Sequence, residues 1–337
     1  MDWLDILLSA ALWLTLVLTA AFSLFMLWVF LRYVGIIVRI FQEKPIFIIP
    51  RGDPIPEAED VMFPTTDGLR LAGSYLHTPC ERRLGVVLFG TEYGSNRWSC
   101  LQYCRQLLEE GFDIFTFEFR NCGDSECLPD YEPLQWVTNY EVEDVLAAVR
   151  YLKSRPDVDP RGIGFFGVSR GGGAGIIAAA QEPFIRCVAT DGAFATISTM
   201  VPYMQRWISL YSLFPNAYRI LPRWIYVLAA EMALWRLARQ RRCRFPSLER
   251  AISKIAPRSL LMIHGGADNY IRPEWAQQLF ERAGEPKELW IVPHAKHNQA
   301  VQVAGKQYQE RIAHFFRTHL AGGRRTRLDR PQIVKRS

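Results

Sequence analysis

A mostly parallel β-sheet covered by helices on both faces, preceded by one membrane-crossing helix, is the fold class this 337-residue chain predicts. Three observations lead there. From about Val61 to His319, short apolar runs alternate with segments of helical spacing, the pattern of consecutive β-α-β units. The turn Gly167-Val168-Ser169-Arg170-Gly171 joins one such run to a helix of small residues. Ahead of all this, Ile6 to Leu31 carries no charge and as a helix reaches roughly 39 Å at ~1.5 Å per residue.

That length exceeds a hydrocarbon core of about 30 Å, so the segment spans a bilayer with tilt. A cleaved signal peptide starts with basic residues and is shorter, whereas this chain starts with Asp2 and Asp5. The expectation is therefore a permanent single-pass anchor. Arg32, Arg39, Lys44 and Arg51 follow the apolar stretch and only acids precede it, which places the C-terminal flank, and the large domain with it, in the cytoplasm. Pro45, Pro50, Pro54 and Pro56 then mark a stiff linker. The expected organisation is an anchor with its juxtamembrane segment over residues 1–44, a linker over 45–60, a catalytic-type domain over 61–320 and a basic tail over 321–337.

Within the large domain, Val61 to Leu76 predicts a hairpin turning at Thr66-Asp67-Gly68. Strands follow at 84–89, 112–119, 163–166, 187–190, 260–264 and 289–292, with helices at 98–110, 142–152, 172–180 and 307–319. Glu141, Glu143 and Asp144 open the second of these helices, where its dipole favours acids. Residues 195–257 are too long for one crossover. Rich in aromatics (Tyr203, Trp207, Tyr211, Phe214, Tyr218, Trp224, Tyr226, Trp235) and ending in the arginine-dense run 236–244, they predict an inserted helical cap.

Composition narrows the functional classes. The net charge of +6 is concentrated from Arg324 to Ser337, where six basic residues meet one acid. A duplex-binding surface spread over the fold is excluded on that ground, and no nucleic-acid partner is expected. Seven cysteines without a C-x-x-C pair or a cysteine–histidine grouping describe neither a disulfide framework nor a structural zinc site. Gly162-Ile163-Gly164-Phe165-Phe166-Gly167 matches G-x-G-x-x-G in letters, but its glycines fall inside a strand instead of after it. No Walker A lysine motif and no H-E-x-x-H occurs. The expectation is that neither a cofactor nor a metal is used.

The chemistry-bearing signal is Ser169. Glycines on both sides allow the sharp turn that lifts its hydroxyl above the sheet. A serine hydroxyl becomes a nucleophile only when a base takes its proton, and the base needs a carboxylate to hold its tautomer and stabilise its charge. Asp268, in His264-Gly265-Gly266-Ala267-Asp268-Asn269, and His297, in Pro293-His294-Ala295-Lys296-His297-Asn298, each follow a predicted strand. Asp191 is the second candidate for the acid and His294 for the base. Asp268 also has the sequence surroundings of a plain turn former. His264 reads as a packed residue behind the site, and His77, His314 and His319 as structural.

The order serine, aspartate, histidine, each on a loop after a strand, resembles the α/β-hydrolase fold family, and within it the membrane-tethered Bem46-like and dienelactone-hydrolase-like serine hydrolases. The resemblance covers about Val61 to His319 and includes Arg120-Asn121-Cys122-Gly123-Asp124-Ser125, similar to the family's Arg-x-x-Gly-x-Ser turn. It implies Ser169, Asp268 and His297 as catalytic residues. It also implies an oxyanion hole made by the N–H groups of Arg170 and Thr91, each such donor being worth about 3 kcal/mol in the transition state. Many members carry His-Gly where this chain has Phe89-Gly90, a departure just before Thr91. The implied activity is cleavage of an ester or thioester of an apolar acyl group, with the bilayer as partner through the N-terminal helix. An acyltransferase or peptidase on the same triad, or a silent scaffold on this fold, are the competing classes.

Overall fold

In the computed structural model, residues 3–44, 49–211, 216, 219 and 221–322 are described. The basic tail beyond Gly322, Pro45 of the linker, and Phe214 and Tyr218 of the insertion lie outside them. Two compact units are present: Met1–Glu43 with Met200–Gln240, and Lys44–Thr199 with Arg241–Ser337.

The first unit holds α1 (Trp3–Gln42), most of α5 (Thr196–Tyr211) and α6 (Arg223–Gln240). Nothing in Tyr33 to Phe41 breaks a helix, and α1 runs unbroken past the end of its uncharged stretch to Gln42. By length and composition Ile6–Gln42 is able to cross a membrane, and its most apolar window is wholly unburied in the protein. The sequence reading kept anchor and insertion apart; here α1 packs along α6.

The second unit is built on one sheet of eight strands: β1 (Glu59–Pro64), β2 (Arg70–Leu76), β3 (Gly85–Gly90), β4 (Phe112–Phe117), β5 (Ile163–Val168), β6 (Ile185–Asp191), β7 (Ser259–Gly265) and β8 (Lys287–Val292). Their order is β1-β2-β4-β3-β5-β6-β7-β8. β1 and β2 pair antiparallel, β2 joins β4 antiparallel, and every later pairing is parallel. The helices are α2 (Cys100–Glu109), α3 (Asn139–Ser154), α4 (Arg170–Ala179), α7 (Leu248–Ala251), α8 (Pro273–Glu281), α9 (Ala300–Ala304) and α10 (Lys306–His319).

Strands buried on both faces send successive side chains to opposite sides. Phe165 and Leu260 join a core with residues of α3, α4, α7 and α8, while their neighbours Phe166 and Leu261 join a second core with α2, α9 and α10. That is why these strands read as unbroken apolar runs. At Gly164 an added Cβ would lie 2.6 Å from the Phe316 ring, so a glycine of the apparent dinucleotide motif serves close packing against α10.

Three local differences from the sequence reading have physical causes. The acids opening α3 do more than face a dipole. Glu141 accepts from the backbone N–H of Thr138 at 2.8 Å in a capping box and from the Tyr131 hydroxyl at 2.8 Å, while Asp144 is buried against Arg120. The predicted start of α4 at Gly172 moves back to Arg170, because the helix begins directly at the turn. Helix α8, with Pro273 in its first turn, was not foreseen.

Register sets the working edge. Gly90 pairs with Gly167, Val168 with Asp191, Asp191 with Ile263, and Gly265 with Val292. The carboxyl ends of β3, β5, β6, β7 and β8 therefore come level, and the loops leaving them carry Thr91, Ser169, Gly192, Asp268 and His297 to one rim. In an open α/β sheet this is the rim at which ligands bind.

Candidate active site

Ser169 stands between β5 and α4 with φ 50° and ψ −117°, outside the allowed regions for an L-residue, a conformation that costs on the order of 1–3 kcal/mol. Surrounding contacts hold it there. Its N–H donates to the Asp191 carbonyl at 2.7 Å, and its carbonyl accepts from Gly173 N–H at 3.1 Å. Glycine at 171 is required because an added Cβ would lie 2.4 Å from the carbonyl oxygens of both Gly90 and Thr91. The start of α4 is thereby pressed against the loop after β3, which brings the backbones of Thr91 and Arg170 close together. As the first residue of its helix, Arg170 has no intrahelical acceptor for its N–H.

Ser169 Oγ lies 3.0 Å from His297 Nε2, and His297 Nδ1 lies 2.7 Å from Asp268 Oδ2. All three residues are buried. The other oxygen of Asp268 accepts from the backbone N–H groups of Tyr270 and Ile271, each at 2.8 Å. This is the turn geometry anticipated as the plain alternative for Asp268, and it coexists with the histidine contact: one oxygen closes the turn, the other faces the imidazole. Tyr270 and Phe194 lie beside the ring at centroid distances of 5.4 and 6.4 Å, so the imidazole sits in a mostly apolar frame.

The runner-up residues are engaged elsewhere. Asp191 accepts from the Tyr308 hydroxyl at 2.9 Å. His294 is exposed on its loop. His264 is buried at the end of β7, its Nε2 donating to the Ile271 carbonyl at 2.7 Å and lying 3.4 Å from Asp268 Oδ2. Burial lowers its pKa, so a neutral ring braces the Asp268 turn. His77 faces Glu59 at 3.5 Å, and His319 Nδ1 is 2.8 Å from the Ser259 hydroxyl. Phe89, where many α/β-hydrolases have histidine, is a core residue stacked on Tyr103 at 5.5 Å.

Sequence reasoning passed over several groups around this rim. Arg170 was singled out for its backbone alone, yet its guanidinium is buried, donates to the Leu134 carbonyl at 3.0 Å and lies over the rings of Tyr93 and Phe119 at 5.1 and 4.9 Å. It fastens the loop carrying Thr91 to the helix carrying Ser169. Glu92, next to Thr91, is buried as well, with the Tyr103 hydroxyl donating to it at 3.2 Å. No local signal marked Glu92, since its loop, Gly90-Thr91-Glu92-Tyr93-Gly94-Ser95-Asn96, is polar along most of its length. Among the described residues no group of three or more histidine, cysteine or acidic side chains is placed to hold a metal ion. Cys100 and Cys104 are free and fully buried, and burial pushes the Cys100 thiol up to about 12.

Burial drives the carboxyl groups of Asp191 and Glu92 up to about 7. A carboxyl whose folded pKa is raised keeps its proton in the folded state while the unfolded chain loses it. Stability is then greatest below the ordinary carboxyl pKa of about 4 and falls as pH rises toward 7. Asp191→Asn, which retains an acceptor for Tyr308, is expected to remove part of that slope. Its melting temperature should exceed that of the parent at pH 8 and match it near pH 4, as thermal unfolding at the two pH values will show.

With this geometry in view, the class is plain: a serine, histidine and aspartate in relay at the carboxyl rim of an α/β sheet. The sequence matches the Alpha/beta hydrolase family over residues 88–310, and the chain belongs to that family. Among curated proteins it is similar to the uncharacterized protein YfhR of Escherichia coli strain K12, 26% identical over 265 residues that cover 77% of this chain and 80% of YfhR. Among solved structures it resembles the alpha/beta hydrolase GrgF of Penicillium sp. sh18, with TM-score 0.61, 23% identity, and coverage of 79% of this chain and 100% of GrgF. The Pyrococcus furiosus esterase Pf2001 is also similar, with TM-score 0.59 and 23% identity over 82% of this chain and 99% of the esterase.

Proposed function

We propose that this protein is a membrane-anchored serine hydrolase that cleaves an ester or thioester of an apolar acyl group through an acyl-enzyme on Ser169. The observation that carries the reading is the relay itself, 3.0 Å from Ser169 Oγ to His297 Nε2 and 2.7 Å from His297 Nδ1 to Asp268 Oδ2. His297 takes the Ser169 proton as Oγ attacks the carbonyl carbon. The oxyanion forms between the N–H groups of Arg170 and Thr91, donors that need no reorganisation as charge develops. Asp268 accepts from Nδ1–H and stabilises the imidazolium. Collapse passes the proton from His297 to the leaving alcohol or thiol. Water, deprotonated by the same ring, then attacks the acyl-enzyme, and the acid departs as Ser169 regains its proton.

Phe194 and Tyr270 beside the imidazole, with Trp136 edge-on to Phe194 at 5.4 Å, favour an apolar acyl chain. Helix α1 supports anchoring, and Arg32, Arg39, Lys44 and Arg51 favour a cytoplasmic C-terminal flank. A fluorophosphonate probe is expected to label the parent protein at Ser169, to leave Ser169→Ala unlabelled and to label His297→Ala weakly. Equal labelling of all three rejects the mechanism. Release of free acid from a chain-length series of esters and thioesters, with and without added alcohol or amine acceptors, separates hydrolysis from acyl transfer.

A further inference from the structure

Along the seam of the first unit, Val34, Ile37, Val38 and Phe41 of α1 are buried at helical spacing, as are Tyr226, Ala229, Ala230, Ala233 and Leu237 of α6. Beside this apolar seam opens a groove of about 390 Å³ whose walls include Arg32, Arg39 and Arg236, with Leu31 and Ile36 at its apolar side and Gly35 between the helices. An added Cβ at Gly35 would stand 3.9 Å from Arg236 Nη1, so the guanidinium lies close over the α1 backbone. No carboxylate lines the groove. Among the described residues, none of the three arginines has an ion-pair partner; Arg32 lies 5.8 Å over the Trp28 ring.

Three unneutralised guanidinium groups around one concavity repel one another, and an anion that accepts from several of them relieves the repulsion. Phosphate oxygens suit the planar fork of arginine. The position along α1 narrows the source of that phosphate. Arg32 is the first charge after the uncharged stretch, and Arg39 stands two turns farther on, about 10 Å along the axis. On one side of a bilayer the polar layer beyond the hydrocarbon is about 5–8 Å deep, so the groove opens at headgroup level beside Arg32 and ends at Arg39 near the aqueous edge of that layer. The outer face of α6 agrees: Trp224, Leu228 and Trp235 are exposed on one side of the helix, and Arg239 lies 4.1 Å over the Trp235 ring. Amphipathic aromatics beside basic residues are the composition of a membrane interface.

We propose that the groove between α1 and α6 binds the phosphate of an anionic membrane lipid, held by Arg32, Arg39 and Arg236 while its chains continue beside the apolar part of α1. This rests on the membrane reading of α1. Full-length protein in phosphatidylcholine nanodiscs doped with phosphatidylglycerol, released into mild detergent and weighed by native mass spectrometry, is expected to retain phosphatidylglycerol in preference to phosphatidylcholine. Each arginine removed should lower that retention about fivefold, and Arg32→Gln/Arg39→Gln/Arg236→Gln together on the order of a hundredfold. Should the triple variant fail to fold, Arg236→Gln alone must still show the fivefold loss. Unchanged retention in the variants overturns the site, as does an equal loss on replacing the exposed Arg105, Arg272 and Arg282 by glutamine, since that reports only net charge. Displacement of the lipid by inorganic phosphate as readily as by short-chain phosphatidylglycerol assigns the groove to free phosphate and rejects the lipid. Extraction of the parent protein from membranes by alkaline carbonate refutes the anchor itself, whereas a firmly embedded protein without lipid preference refutes the groove alone.

Discussion

Ser169→Ala is expected to lower kcat on any acyl ester the protein turns over by roughly a millionfold, leaving the small residue of catalysis that an oxyanion hole and binding supply by themselves. The size follows from the geometry. With the hydroxyl gone, His297 has nothing to deprotonate at 3.0 Å, and water must attack directly from a place the site does not provide. His297→Ala should cost a similar factor, and the double variant should be no worse than either single one, because serine and histidine act as one unit. Asp268→Asn keeps an acceptor for the backbone N–H groups of Tyr270 and Ile271 but presents the wrong partner to Nδ1, and a loss of about ten-thousandfold is expected. Steady-state kinetics of the four proteins decides the matter. Independent, multiplying losses for Ser169 and His297 would show that the two do not share a proton.

Arg120→Met is expected to produce the largest loss of stability of any single substitution away from the rim. Arg120 is completely buried. Its Nε and Nη2 donate to Asp144 Oδ1 at 2.8 and 2.6 Å, its backbone N–H donates to Asp144 Oδ2 at 2.9 Å, and Nη1 donates to Asp67 Oδ2 at 2.7 Å. Removing the guanidinium leaves Asp144 buried without its counter-charge, a change that costs about 3–5 kcal/mol. In a domain of this size each kcal/mol moves the melting temperature by about 2–4 °C, so a fall of roughly 6–20 °C is expected. Arg120→Met/Asp144→Leu should recover most of it, since taking out both charges removes the orphan. Asp67→Asn should cost far less, because that carboxylate is partly exposed and solvent screens its pairing. Differential scanning calorimetry of the three variants beside the parent checks the order. A single substitution no worse than Asp67→Asn would mean that the buried pair is not what holds the loop after β4.

Much of this was legible before any coordinates. The alternation that predicts a parallel sheet is strong because strands buried on both faces must be apolar at every position, as in Phe165 and Phe166 or Leu260 and Leu261. Gly167 and Gly171 advertise the turn at Ser169 because a side chain at 171 would strike the loop after β3 and one at 167 would strike the first turn of α4. The local signal was silent where side chains are paired over long separations. Nothing near Asp144 announces that Arg120 neutralises it, and nothing near Arg170 shows that its guanidinium spans to Tyr93 and Leu134. Helix α8 escaped notice because its nine residues bury only Ala276 and Leu279, too few to display a period.

By itself, the sequence determined the fold class, the apolar helix and a short list of candidate nucleophile, base and acid residues, since periodicity and turn chemistry are local properties written residue by residue. Only the tertiary structure decided which acid meets which imidazole, choosing Asp268 over Asp191 and His297 over His294, and only it brought Arg236 beside Arg32 and Arg39. Those choices depend on strand register and helix packing, where distances of a few ångströms are set by contacts between residues scores to hundreds of positions apart, and no short window of sequence contains them.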